Sequence, residues 1–278
     1  HSAEDDRSIE GVYVPVWVNN QKTDYLPSVN ISYKPNSQWV CRAAVGRTLN
    51  RPEFREMSSF QELDYLNNMY IRGNSELKSS RASNYDVRAE WYPSDGDLIS
   101  IGAFYKKITD PIERIINRDL SDPMVITPTI SFYNAKDAYL KGIEIEIHKN
   151  LDFLPSAFFR NLSFIGNFSY IHSKATVQNS GGDVTVDENG EYHTVYNSWI
   201  KRKLQGQAPY IVNAGFYYDN AAWGTQISLI FNAIGERIYA ASRGVPGSFY
   251  TSPTSNGLKG DLGSQLELPY QQLDLSVT

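Results

Sequence analysis

The sequence is short of what a helical membrane span, a disulfide framework or a metal centre would need. One cysteine, Cys41, in 278 residues excludes an intrachain disulfide framework and a multi-Cys metal site. The four histidines are scattered, and one of them is His1. No run reaches about 18 consecutive apolar residues, which excludes a transmembrane helix. A net charge of −5, with no cluster of Lys and Arg on one face of any segment, removes the electrostatic footprint of a nucleic-acid binder. Mean hydropathy of −0.42 reads as that of a water-soluble chain. It does not exclude a membrane β-barrel, whose strands alternate apolar and polar residues and average out.

What the chain does contain is aromatic residues and a regular rhythm of connections. Nineteen Tyr, twelve Phe and five Trp are enough to furnish the interfacial girdles of a barrel or a sandwich core. Tight turns fall at Pro35-Asn36, Pro93-Ser94-Asp95-Gly96 and Asp219-Asn220. Between them lie long polar stretches at Thr48–Ser80, Asp110–Ala135, Lys174–Ala208 and Gly235–Pro269. A sheet with short hairpins at one end and long loops at the other has two chemically different ends. That asymmetry marks an outer-membrane β-barrel with short periplasmic turns and long extracellular loops.

Nine segments read as strands: Tyr25–Lys34, Trp39–Thr48, Ser83–Tyr92, Leu98–Thr109, Tyr139–Lys149, Asn161–Ser173, Pro209–Tyr218, Trp223–Ala233 and Gln271–Thr278. Their period is two. Ile143, Ile145 and Ile147 share one face, and Glu144, Glu146 and His148 the other. Asp86, Arg88 and Glu90 likewise share a polar face. These six polar residues are expected to line the lumen of a barrel, with the isoleucines toward lipid. A soluble sheet with one wet face would alternate too. The rings beside the short turns favour the membrane: Tyr33 and Trp39, Trp91 and Tyr92, and Tyr217, Tyr218 and Trp223 would form a belt at headgroup level. An odd number of strands that starts on the long-loop side does not make a complete barrel, so residues 1–278 are expected to be the C-terminal part of one barrel domain, without plug or last strands. His1–Arg7 reads as polar loop.

No catalytic motif is present: no Gly-x-Ser-x-Gly, no phosphate-binding glycine loop, no His-Glu-x-x-His. Glu144 and Glu146, two apart on a strand, share a wall and do not form an acid/base pair. His148 reads as a hydrated polar residue, not a metal ligand. The carboxylates of Asp183–Glu191 lack EF-hand spacing and read as a solvated loop. Arg51, Glu53, Arg55 and Glu56 read as ion pairs stiffening a loop base. Cys41 falls on the apolar face with Trp39, Ala43 and Val45, and Asn30, Asn161 and Asn167 sit in strands, where glycosylation is not credible. Candidate binding residues come from the loops, where rings and polar groups occur together: Tyr133 and Asn134 beside Phe132, and Tyr239, Arg243 and Tyr250 beside Phe249. No cofactor, metal or enzymatic activity is expected.

A series of motifs in order resembles the C-terminal half of TonB-dependent outer-membrane receptors, especially the large family of Bacteroides-like Gram-negative bacteria. It comprises Tyr25-Leu26-Pro27-Ser28-Val29-Asn30, Arg47–Glu56, Gly102–Lys107, Asn134-Ala135 with Gly142–Glu146, Gln205–Gly215 and Gly235–Tyr239. The resemblance implies an all-β, antiparallel up-and-down transmembrane barrel of about 22 strands, closed around an N-terminal plug, of which this chain supplies about nine. It also implies a place in the outer membrane of a Gram-negative cell and import of a scarce solute: an iron chelate, a corrinoid, an oligosaccharide or a peptide. The implied partners are outer-membrane lipid, TonB through the absent N-terminal region, the solute and a surface lipoprotein, with no nucleic acid. A passive porin or adhesin barrel, and a soluble all-β carbohydrate-binding domain, are the alternatives.

Overall fold

Nine long strands follow one another in chain order and in space. They are β1 Ser28–Tyr33, β2 Trp39–Asn50, β3 Ser80–Trp91, β4 Leu98–Thr109, β5 Asp137–Asn150, β6 Leu162–Gln178, β7 Tyr210–Asn220, β8 Thr225–Ile234 and β9 Tyr270–Val277. The computed structural model describes residues 23–66, 68–117, 129–178, 183–186, 192–195, 199–242 and 264–278. Each strand pairs antiparallel with the next, and a tenth, Trp199–Arg202, lies against the upper end of β6. The sheet is open, with β1 and β9 as its edges, so this is a partial up-and-down barrel. All nine expected strands are present.

One turn differs from the sequence expectation. Asp219 and Asn220 still pair with Gln226 and Thr225, and the reversal comes after them. Asn220 Oδ1 accepts from Ala222 N (3.1 Å) and Trp223 N (3.2 Å), and Gly224 supplies the positive φ of +61°. A side chain that mimics a backbone turn moves the bend downstream, and Trp223 becomes a turn residue instead of a strand residue. Asn36 caps the first turn in the same way, accepting from Gln38 N and Trp39 N.

Register keeps the two faces separate across every strand. The row Trp39–Trp91–Ile99–Ile147–Gly166–Ala214–Phe231–Leu273 crosses β2 to β9 without a polar residue. Trp39 is the lowest apolar residue of β2, but Leu273 is the highest of the triad Leu273, Leu275 and Val277. The apolar band therefore slides along the strands, as tilted barrel strands require. These side chains are exposed: Ile143 at 49% and Leu275 at 68%.

Rings close both ends of the band. Trp39 stacks on Trp91 at 5.9 Å near the short turns, while Tyr85, Tyr105, Tyr139 and His172 form a chain of contacts of 6.2–6.3 Å near the loops. The sequence reading anticipated only the first belt, and two of its members leave it: Tyr92 bonds Glu90 on the polar face, and Tyr217 takes that face in register with Ser163 and Ser228.

One buried cluster, Ala138, Ala175 and Val177 with Ala135, sits at the loop end of β5 and β6, and a second lies in the loops themselves. Gln61–Asp64, Met69–Arg72, Ile112–Asn117, Thr129–Asn134, Arg237–Ser242 and Gln265–Glu267 build a second, six-stranded sheet from three of the long loops. Pairing is antiparallel inside each loop and parallel between loops, at Tyr70↔Thr129 and Ala241↔Ile115. That mixture follows from topology, because arms rising from one rim run the same way, as do arms returning to it. Ile115, Ile116, Ile130, Phe132, Ile238 and Ala241 are all buried.

At the opposite end, Asp97 ties the second short turn to β5. It accepts from Ser94 Oγ (2.5 Å), Asn150 N (2.9 Å) and Lys149 Nζ. Burial pushes its carboxyl pKa up, but these three donors outweigh burial and hold it at about 2, below the ordinary 3.8. The charged form is thus favoured by folding, so the contribution is complete above about pH 4 and is lost as pH falls through about 2. Asp97→Asn is expected to cost about 1–3 kcal/mol at neutral pH and much less at pH 2, as read by equilibrium unfolding of the intact protein at both values.

Candidate functional site

Among the described residues, a buried ion pair ties the loop sheet to the wall. Arg202 ends the short strand beside β6, and its guanidinium grips Glu113 in a fork, Nη1–Oε1 3.2 Å and Nη2–Oε2 2.7 Å. Both side chains are almost fully enclosed, at 6% and 2% exposure. Arg202 Nη1 also donates to Lys203 O (3.0 Å), and Gln205 N donates to Glu113 Oε1 (3.4 Å). The bidentate fork and the Gln205 N–H on Glu113 offset the desolvation of the two charges, while Arg202 Nε stays buried without a partner.

Gln205 then bridges two loops. Its Oε1 accepts from Arg114 N (2.6 Å), and its Nε2 donates to Tyr239 O. Gly206, at φ +75°, donates its N–H to Ile238 O (2.9 Å). The Arg114 guanidinium lies 5.3 Å from the centre of the Tyr239 ring. Arg237 pairs with Glu267 beside it. Together they border a cleft of about 340 Å³ that Glu56, Phe132 and Ile238 also line. With Arg114 exposed over a ring and a polar rim, the cleft suits a ligand that offers acceptors and a flat surface.

The other polar cluster lies on the sheet. Arg42 holds Glu90 (Nε–Oε1 3.0 Å, Nη2–Oε2 3.3 Å), and Tyr92 Oη donates to Glu90 Oε2 (2.9 Å). Arg88 Nη2 donates to Glu146 Oε2 (2.6 Å), and its Nε lies 3.0 Å from Glu90 Oε1 without hydrogen-bond geometry. His148 Nε2 is 3.0 Å from Glu146 Oε1. Arg88, Glu90, Glu146 and His148 therefore form one network. Asp86 and Glu144 share their face, through the register with Phe104 and Gly102.

The candidate binding residues separate. Tyr239 borders the cleft. Asn134 is committed to the loop junction: its Nδ2 donates to Lys78 O and Asp110 O (both 2.9 Å) and its Oδ1 accepts from Lys78 N (2.8 Å). Tyr133 packs on the cluster of Ile115, Ile238 and Ala241. Arg243, Tyr250 and Phe249 lie outside the described residues. The loop opening at Arg51 is internally tied, with Glu53 and Glu56 in a reciprocal cap and Arg55 3.1 Å from Glu62. Sequence reasoning passed over Glu113, Arg114, Arg202 and Gln205. Gln205 stood inside a motif already noted, but a pair 89 residues apart leaves no trace in spacing.

A family model for the β-barrel of TonB-dependent receptor-like proteins matches residues 5–278. The chain belongs to that family. Among solved structures, it is similar to a mutant of the ferric enterobactin receptor PfeA from Pseudomonas aeruginosa in complex with enterobactin. Identity there is 15% over 91% of this chain and 32% of that one, with a TM-score of 0.52. It is also similar to the siderophore receptor PirA from Acinetobacter baumannii, at 16% identity over 91% and 34% of the two chains, with a TM-score of 0.50. This chain thus spans about a third of those receptors' length, and at such identity the likeness is one of fold. No curated protein matches in sequence. The family model and both neighbours are described as receptors.

The ion pair can be tested within this family's intact receptor. Arg202→Ala removes the counter-ion opposite Glu113 and is expected to cost the loop sheet about 3–5 kcal/mol. The double variant R202M/E113L should lose much less. Hydrogen exchange across Ile112–Asn134 reads both.

Proposed function

We propose that this chain forms part of the wall and outer mouth of an outer-membrane receptor that imports a scarce solute when TonB acts on its plug. One observation carries the reading: an unbroken, exposed apolar face runs across nine paired strands, backed by an ion-paired polar face, with all the long loops at one end. In water such a face would be a severe liability, since each Ile or Leu left exposed forgoes about 1.5–3 kcal/mol of burial. In a bilayer it is the surface the solvent requires. Asp86, Arg88, Glu90, Glu144, Glu146 and His148 then face the lumen and plug.

The solute meets the loop sheet first. Tyr239 and Arg114 are the proposed contacts at the cleft, and Arg243 and Tyr250 belong to the same loop as Tyr239. Tyr133 and Asn134 serve by holding that surface in place. Iron chelates, corrinoids, oligosaccharides and peptides are the candidate solutes, and the siderophore receptors among the structural neighbours make an iron chelate the first to test. A surface lipoprotein is a further candidate partner at the loop end.

Charge at the lipid-facing midplane costs about 2–4 kcal/mol for Arg or Lys. Ile145→Arg is therefore expected to abolish assembly of the intact receptor into outer-membrane fractions, and Glu146→Gln to leave it near wild type. Equal assembly of the two variants would reject the orientation.

A further inference from the structure

Two opposite charges in the loop-sheet cleft have no counter-ion. The other charged groups that line it are neutralised, Arg237 by Glu267 and Glu113 by Arg202. Arg114 and Glu56 remain. Among the described residues neither lies within ion-pair distance of an opposite charge, so the two share one cleft without meeting each other. Arg114 is exposed and Glu56 half-buried.

Both are held from the protein side. Arg114 N donates to Gln205 Oε1 (2.6 Å), and the guanidinium lies 5.3 Å from the centre of the Tyr239 ring. Glu56 Oε2 accepts from Glu53 N (2.9 Å) within the reciprocal cap. That bond orients the carboxylate and leaves its charge in place. Groups already ordered lose little freedom when a ligand arrives. Phe132 and Ile238 add apolar surface to the same cleft.

A fixed cation and a fixed anion, held apart, match a solute that brings both a carboxylate and an ammonium group. A neutral sugar would cover both charges and pair neither, and an anionic chelate would meet Arg114 but be repelled by Glu56. Size points the same way. The cleft's volume of about 340 Å³ is small, since ligand pockets run from about 300 to 1,000 Å³. An extended chain advances about 3.3–3.6 Å per residue, so a few residues place its two ends on opposite sides of such a space.

We propose that the cleft takes a short peptide with free ends, its carboxylate on Arg114 and its ammonium group on Glu56. The proposal rests on the receptor reading above and chooses among that reading's candidate solutes.

The test is isothermal titration calorimetry of the intact receptor in detergent with trialanine, N-acetyl-trialanine and trialanine amide. Wild type is expected to bind the free peptide about tenfold or more tightly than either blocked form. Arg114→Gln should no longer tell carboxylate from amide, yet still prefer ammonium to acetyl. Glu56→Gln, which keeps the cap because either side chain serves there, should show the reverse. A loop that had merely lost its shape would lose both preferences together. Glu62→Gln, on the same loop outside the cleft, should keep both. Equal binding of the three peptides by wild type, no binding of any at millimolar concentration, or loss of both preferences in each single variant overturns the peptide assignment alone. A receptor that stays monodisperse without detergent overturns the receptor reading and the assignment together.

Discussion

Backbone pairing in a single register is the constraint on which everything else rests. A strand's side chains alternate with a period of two, so a slip of one residue would carry a whole strand's apolar set to the polar side. Here the register holds from Trp39 to Leu273 across eight strands, and both sides of the wall depend on it. On one side it brings Arg42, Glu90, Arg88, Glu146 and His148, drawn from three strands, close enough to share charges. On the other it aligns rings near both ends of a predominantly apolar face.

The turns and loops divide the remaining work. Short turns are locked by side chains that imitate or capture backbone, such as Asn36, Asn220 and Asp97. The long connections cannot rely on such local bonds. They pair with one another instead and bury Ile115, Ile116, Ile130, Phe132 and Ile238 among themselves. This gives the chain a water-side core beside a wall with an exposed apolar face. Glu113 and Arg202 join the two regions, since one belongs to the loop sheet and the other to the strand beside β6.

That division shapes the functional reading. Among the described residues, the charged groups on the sheet's polar face largely satisfy one another. The cleft at the loop sheet is different: Arg114 is exposed above a ring, and the surrounding backbone is fixed by Gln205 and Gly206. A rigid frame with a few exposed polar groups is the arrangement that binding requires, because little freedom is lost when a ligand arrives.

Alternation in segments such as Gly142–His148, together with the spacing of turns and long loops, determined the nine strands, their polar and apolar sides, the lower ring belt and the two unlike ends. Those are local properties, because a strand's period and a turn's chemistry are written in neighbouring residues. What only the tertiary structure decided is which distant residues meet. The loop sheet, the Glu113–Arg202 pair and the commitment of Asn134 to a junction all depend on pairing between segments tens of residues apart. Register is set by the summed fit of whole strands, and no short stretch of sequence encodes it.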